Sequence, residues 1–150
     1  MSRAFVKESS ESAPPPERMV PDGPNPVTAE GFAHIASEVV RLEAALKAEA
    51  NVLLRETLAR DLRYWQAQQG RAEIAGAPSG EAVAFGHRVT LRRGGRVQVF
   101  RIVGEDEADP PRGLVSWRSP LAQAILGARG GEIVEAAKPL GEIEIVAVEA

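Results

Sequence analysis

At GAPSG, residues 76–80, the spacing of apolar residues along this chain changes period, which excludes any single repetitive architecture. Before it, Ile35, Val39, Leu42 and Leu46 recur at steps of four, three and four, and Leu54, Leu58, Leu62 and Trp65 at four, four and three. Such steps place side chains along one stripe of an α-helix. After it, AVAFGHRVTL, RVQVFRIV, GLVSW, EIVEAA and GEIEIVAVEA shift towards a period of two, with Gly-Gly at 94–95 and 130–131 as turn signals. That pattern reads as short strands in a mainly antiparallel sheet. The class is α+β.

The helical part has a start and a break. Thr28 suits an N-cap, with Glu30 in the first turn where the helix dipole favours an acid. Between the two seams Asn51 is the only good turn residue. Two seams of similar length joined by a short break fold back as an antiparallel hairpin. The competing reading is one continuous helix over 28–75, since nothing in AEANVLL strictly breaks a helix. Such a helix needs a second chain to cover its seam, which favours the hairpin. Within the sheet region one helix is fully punctuated: Ser119 as N-cap, Pro120 at N1, the run LAQAIL, and Gly127 at C′.

Composition sets the remaining limits. Residues 1–26 hold six of the eleven prolines, including Pro14, Pro15 and Pro16, and bury too little to offset the entropy of ordering them. They are expected to form a disordered tail. The expected organisation is therefore a tail at 1–26, a helical hairpin at 27–76, a linker at 77–82 and a sheet domain at 83–150. Net charge is −3, spread as 4 acids to 3 bases in residues 1–27, 7 to 6 in 28–80 and 10 to 9 in 81–150, so no segment reads as nucleic-acid binding from bulk charge. With no cysteine, disulfides and thiolate metal sites are excluded. No apolar run approaches the roughly 20 residues that span a bilayer, and MSRAFVKESSES lacks the apolar core of a secretory signal. A cytoplasmic protein that meets no membrane is the expectation.

Four acids crowd residues 105–109: Glu105, Asp106, Glu107 and Asp109. Adjacent carboxylates suit hard cations. Consecutive turn residues diverge, however, and no histidine is nearby, so the cluster reads as a solvated turn between strands. His34 and His87 stand alone in sequence, and neither supports a metal site. Arg60 and Arg63 share a helix face, with Arg71 further along, and a basic strip there could guide RNA. The alternation with Glu56 and Glu73 favours an ordinary solvated face over that strip. Arg92, Arg93 and Arg96 around Gly94-Gly95 read as a charged hairpin tip that discourages edge pairing.

Residues 83–150 resemble the C-terminal domain of the bacterial GreA/GreB transcript cleavage factors. The resemblance rests on FG at 85–86, FRIVGEDEAD at 100–109, VSWRSPLAQAILG at 115–127, Gly-Glu at 131–132 and KPLGEIEI at 138–145, in that order. VTAEGF at 27–32 is similar to the start of the family's helical hairpin. The resemblance implies an antiparallel coiled-coil hairpin followed by an FKBP-like antiparallel sheet domain with one short helix. It also implies a partner, RNA polymerase, docked through the loop before the short helix, here Arg118, Ser119 and Pro120. Ser119 and Pro120 match the family; position 118 departs, since Asp or Asn is usual there.

In the family the hairpin enters the polymerase secondary channel. There, tip acids spaced Asp-x-x-Glu help hold a magnesium ion of the polymerase active centre, and water cleaves backtracked RNA. Here the tip reads AEANVLLRETL and has no Asp-x-x-Glu. Glu49 and Glu56 are the only acids near the turn. The family's arms are longer by roughly ten residues each, which at about 1.5 Å per residue leaves this tip about 15 Å short. The resemblance thus implies a polymerase-binding regulator of elongation that contacts nascent RNA at most indirectly. It is expected to be a monomer, not an enzyme, without a cofactor of its own beyond magnesium shared with the polymerase. Two alternatives remain: cleavage stimulation through Glu49 or Glu56, and a polymerase-independent helical interaction module. Peptidyl-prolyl isomerase activity finds little support, because the sheet region has just Phe85, Phe100 and Trp117 as aromatics.

Overall fold

The computed structural model describes residues 13–150. These fall into two compact units. The helical unit takes in Ala33–Arg71 and the described residues up to Gly23; the sheet unit takes in Pro24–Phe32 and Ala72–Ala150.

Two helices of 20 residues each, α1 (Ala29–Ala48) and α2 (Val52–Arg71), make the hairpin, which selects the two-helix reading over the continuous one. A 20-residue helix is about 30 Å long. Asn51 acts as the N-cap of α2: its Oδ1 accepts from the Leu54 N–H at 3.1 Å. From the first seam, Ile35 and Leu42 are 0% and 1% exposed and Val39 is buried. From the second, Leu58, Leu62 and Trp65 are half-buried, whereas Leu54 near the turn is 53% exposed. Trp65 packs edge-on to His34, ring centroids 5.5 Å apart, so the single histidine on α1 is a packing residue.

The expected tail needs correction. Residues 1–12 lie outside the described residues. Glu17 accepts two bonds from the Arg63 guanidinium, at 2.7 and 2.9 Å, and Arg18 lies 3.8 Å from the centre of the Tyr64 ring. Arg71 donates to the Gly23 carbonyl. Asn25–Val27 forms strand β1, paired in parallel with β2 (Ala72–Ile74). A proline-bearing NPV triplet carries no strand signal of its own; the buried Val27 and Asn25 hold it in place. The hairpin's second helix therefore ends at Arg71, short of the expected 76.

Besides the β1-β2 pair, the sheet unit holds a five-stranded sheet in the order β5-β4-β3-β7-β6. Its strands are β3 (Arg88–Arg93), β4 (Arg96–Val103), β5 (Leu114–Ser116), β6 (Ile133–Ala136) and β7 (Gly141–Glu149). All neighbours pair antiparallel except β5, which runs parallel to β4 at the edge. The sheet is thus mixed, mainly antiparallel, and it carries one short helix, α3 (Pro120–Ile125). Gly94 and Gly95, both at positive φ, turn β3 into β4, as a two-residue hairpin of this kind requires. Val89, Leu91, Phe100, Ile102, Ile143 and Ile145 form the inner face, closed by Ala122 and Ile125 of α3. His87, expected to stand alone, is buried and accepts the Ala84 N–H on Nδ1 at 3.0 Å.

Candidate functional site

The loop before α3 is built from the inside out. Ser119 adopts extended backbone angles and its Oγ accepts from the Ala122 N–H at 3.2 Å, with Pro120 at N1 and Gly127 at φ 87° beyond the helix. These are the roles expected of them. Ala122 and Ile125 are fully buried, so the cap sits on the core. The Trp117 carbonyl accepts from Gln123 Nε2 at 2.7 Å, and the Trp117 ring packs on the same core.

Arg118 is held rather than free. Its Nε lies 2.6 Å from Glu105 Oε2, and its guanidinium carbon sits 4.7 Å from the centre of the Trp117 ring. The charge at position 118 is thereby answered by one of the four crowded acids, whose side chain is only 11% exposed. Beside α3 lies a cleft of about 480 Å³ edged by Pro120, Gln123, Lys138, Pro139 and Leu140.

The acidic run is on a turn, as expected, but two of its carboxylates are not solvated. Glu107 accepts from the Thr28 N–H at 3.1 Å, from the Thr28 hydroxyl, and from the Gly104 N–H at 2.9 Å. Thr28 Oγ1 in turn accepts from the Gly31 N–H at 3.0 Å, the N-cap bond of α1. Room for this carboxylate comes from two glycines: a Cβ on Gly31 would collide with Glu107, and one on Gly104 would lie 2.6 Å from Glu107 Oε2 and 2.9 Å from the Pro26 carbonyl. Sequence reasoning missed Glu107 because its partner is 79 residues away. The one available signal was a glycine beside each partner.

At the hairpin turn, Glu49 accepts the Asn51 N–H at 3.0 Å, closing the loop on itself. Glu56, within α2, has one carboxylate oxygen shielded from solvent with no hydrogen-bond partner among the described residues. Arg55, unremarked in the sequence, donates to the carbonyls of Leu46 and Glu49 at 2.6 and 2.8 Å and so satisfies the open end of α1. Around these groups Val52, Leu53 and Leu54 are 68%, 44% and 53% exposed. The turn is thus apolar at its surface, with Glu49 engaged by its own backbone and one Glu56 oxygen shielded from solvent. Among the described residues no three acidic or histidine side chains gather as a metal site. Of the basic strip, Arg63 is paired with Glu17 and Arg60 with Asp61 at 2.9 Å, so neither is an open cation.

A capped two-helix hairpin joined in sequence to a small mixed sheet, with one Ser-Pro helix packed on its core, is an architecture of two separately built modules. By sequence similarity the chain belongs to the GreA/GreB family of transcription elongation factors. The family's C-terminal domain model, "Transcription elongation factor, GreA/GreB, C-term", matches residues 77–150. Transcription elongation factor GreA of Phenylobacterium zucineum is 32% identical over 151 residues, covering 83% of this chain and 96% of that one. Transcription elongation factor GreB of Neisseria meningitidis is 47% identical over 72 residues, 46% of this chain and 44% of its own, so that match spans less than half of the relative. A crystal structure of GreA factor homolog 1 of Thermus thermophilus is 20% identical, covers 85% of this chain and 100% of that one, and has a TM-score of 0.41, too loose a likeness to carry weight.

Proposed function

We propose that this protein binds bacterial RNA polymerase through the loop Arg118–Ser119–Pro120 and occupies the secondary channel without supplying the acid pair used for RNA cleavage. The observation that carries it is the contrast in chemistry between that loop and the hairpin turn. The loop is pinned to the core by the Ser119 cap and the Arg118–Glu105 pair. The turn offers Glu49 engaged by its own backbone among exposed Val52, Leu53 and Leu54. In this reading the protein is an accessory factor of the cytoplasm, not an enzyme, with no cofactor of its own and no direct base contacts to RNA. Its effect is to modulate elongation or to compete with cleavage-competent relatives for the channel.

Docking is tested by measuring affinity for core polymerase with Ser119→Asp and Pro120→Ala. Asp is a good N-cap and Ala a good N1 residue, so both keep the helix start while changing the surface. Weakened binding by both variants supports the loop as the docking edge. Full binding by both refutes it.

A further inference from the structure

The outer face of β3 and β4 carries positive charge that the fold does not answer. Arg88 and Arg101 are cross-strand partners on that face, where like charges directly opposite one another destabilise a sheet. Arg112 comes to the same place from the 3-10 turn Pro110–Arg112, and the three guanidinium-bearing residues line one open cleft of about 310 Å³. Arg88 is exposed and has no side-chain partner among the described residues. Arg101 donates from Nη1 to the Gly86 carbonyl at 2.7 Å, a neutral acceptor that leaves its charge uncompensated. Arg112 has Asp109 at 3.9 Å, with side chains 76% and 41% exposed, which is a weak, screened pair. Glu149 stands across from Arg88 on β7 but forms no ion pair with it among the described residues. Three arginines meet two acids, Asp109 held loosely and Glu149 across the strand without an ion pair, in a chain whose net charge is −3, so composition alone does not account for the cluster.

We propose that this cleft binds a compact phosphate anion, the pyrophosphate group of either inorganic pyrophosphate or a nucleotide. Arginine forks bind phosphate oxygens bidentately, and an anion between Arg88 and Arg101 turns their repulsion into a shared contact. The volume lies at the low end for small-molecule sites, which suits a phosphate chain. A nucleic-acid strand is the poorer fit. Strand binding draws on exposed aromatic faces for base stacking, whereas the one ring at this cleft, Phe100, is 6% exposed and belongs to the core, leaving Val99 and Leu114 as its apolar neighbours.

The test is calorimetric titration of the full chain, at fixed ionic strength, with inorganic pyrophosphate, with adenosine triphosphate and with a short single-stranded RNA. Arg88→Gln combined with Arg112→Gln removes two guanidiniums from exposed positions. Arg93→Gln combined with Arg96→Gln removes the same charge from the tip of the same strand pair, outside the cleft. The expected result is pyrophosphate binding weakened by at least about tenfold in the first variant, as for lost charge-assisted hydrogen bonds, and by no more than about twofold in the second. Tighter binding of the triphosphate assigns the source as a nucleotide, and equal binding assigns the phosphate group alone; both uphold the site. Absence of pyrophosphate binding, equal weakening in both variants, or preference for the RNA overturns it.

Discussion

Two helix starts in this molecule use the same device and end in different places. Asn51 and Ser119 each accept a bond from the amide three residues on, at 3.1 and 3.2 Å. Behind Ser119 the helix buries Ala122 and Ile125 completely although Pro120 itself is exposed, whereas behind Asn51 the first three residues, Val52, Leu53 and Leu54, are all exposed. A cap is a local property of the sequence; whether it becomes a fixed point depends on what the helix buries afterwards. One member of this family can therefore keep its helix-start loop on a packed core while its hairpin turn carries quite different side chains.

The largest expected effect sharpens that contrast. Ile125→Ala should cost about 2–5 kcal/mol of stability, as for a deleted core side chain, while Leu54→Ala should change it by less than about 0.5 kcal/mol. Urea denaturation of the two variants measures both. Glu107→Ala comes next: it strands the donors of Thr28 and Gly104, with an expected loss of about 2–3 kcal/mol. Hydrogen exchange should then rise at the amides of Thr28 and Gly104 before it rises in β3.

Ser119→Ala and Asn51→Ala each remove one cap bond, worth about 1 kcal/mol. The first should lower the global denaturation midpoint. The second should appear mainly as faster amide exchange at Leu54 and Arg55 with little global change. Equal global losses from the two would break the comparison.

The smallest effect concerns pH. The bidentate bond from Arg63 holds the Glu17 carboxyl below its ordinary range, and Glu17 in turn raises Arg63. A depressed acid contributes stability that is present above its unfolded value and is lost as pH falls through the folded one. NMR titration should find Glu17 below the usual glutamate range in the native chain, and returned upward in Arg63→Gln.

What could be read from the sequence follows the same division. Thr28, Asn51, Ser119 and Gly127 were legible because caps act within a few residues. The two seams were legible because periodicity is local. The parallel direction of β5 was not, since alternation marks a strand without marking its sense. Strand β1 was hidden by Pro26, and its pairing with β2 spans 47 residues from Asn25 to Ala72. Glu107, read as part of a solvated turn, and Arg55, not singled out, share one reason: each satisfies backbone or hydroxyl groups of another element, which local sequence marks weakly or not at all. Arg118 was legible as a departure from the family pattern, but its compensation by Glu105 needed the fold.

The decisive measurement is RNA 3′-end cleavage in a defined backtracked elongation complex at saturating protein, with polymerase binding followed in parallel. Binding without stimulated cleavage is the expected result for an apolar turn that lacks an acid pair. Stimulated cleavage that is lost on Glu49→Ala with Glu56→Ala would contradict it, because those two carboxylates would then be reaching the metal after all.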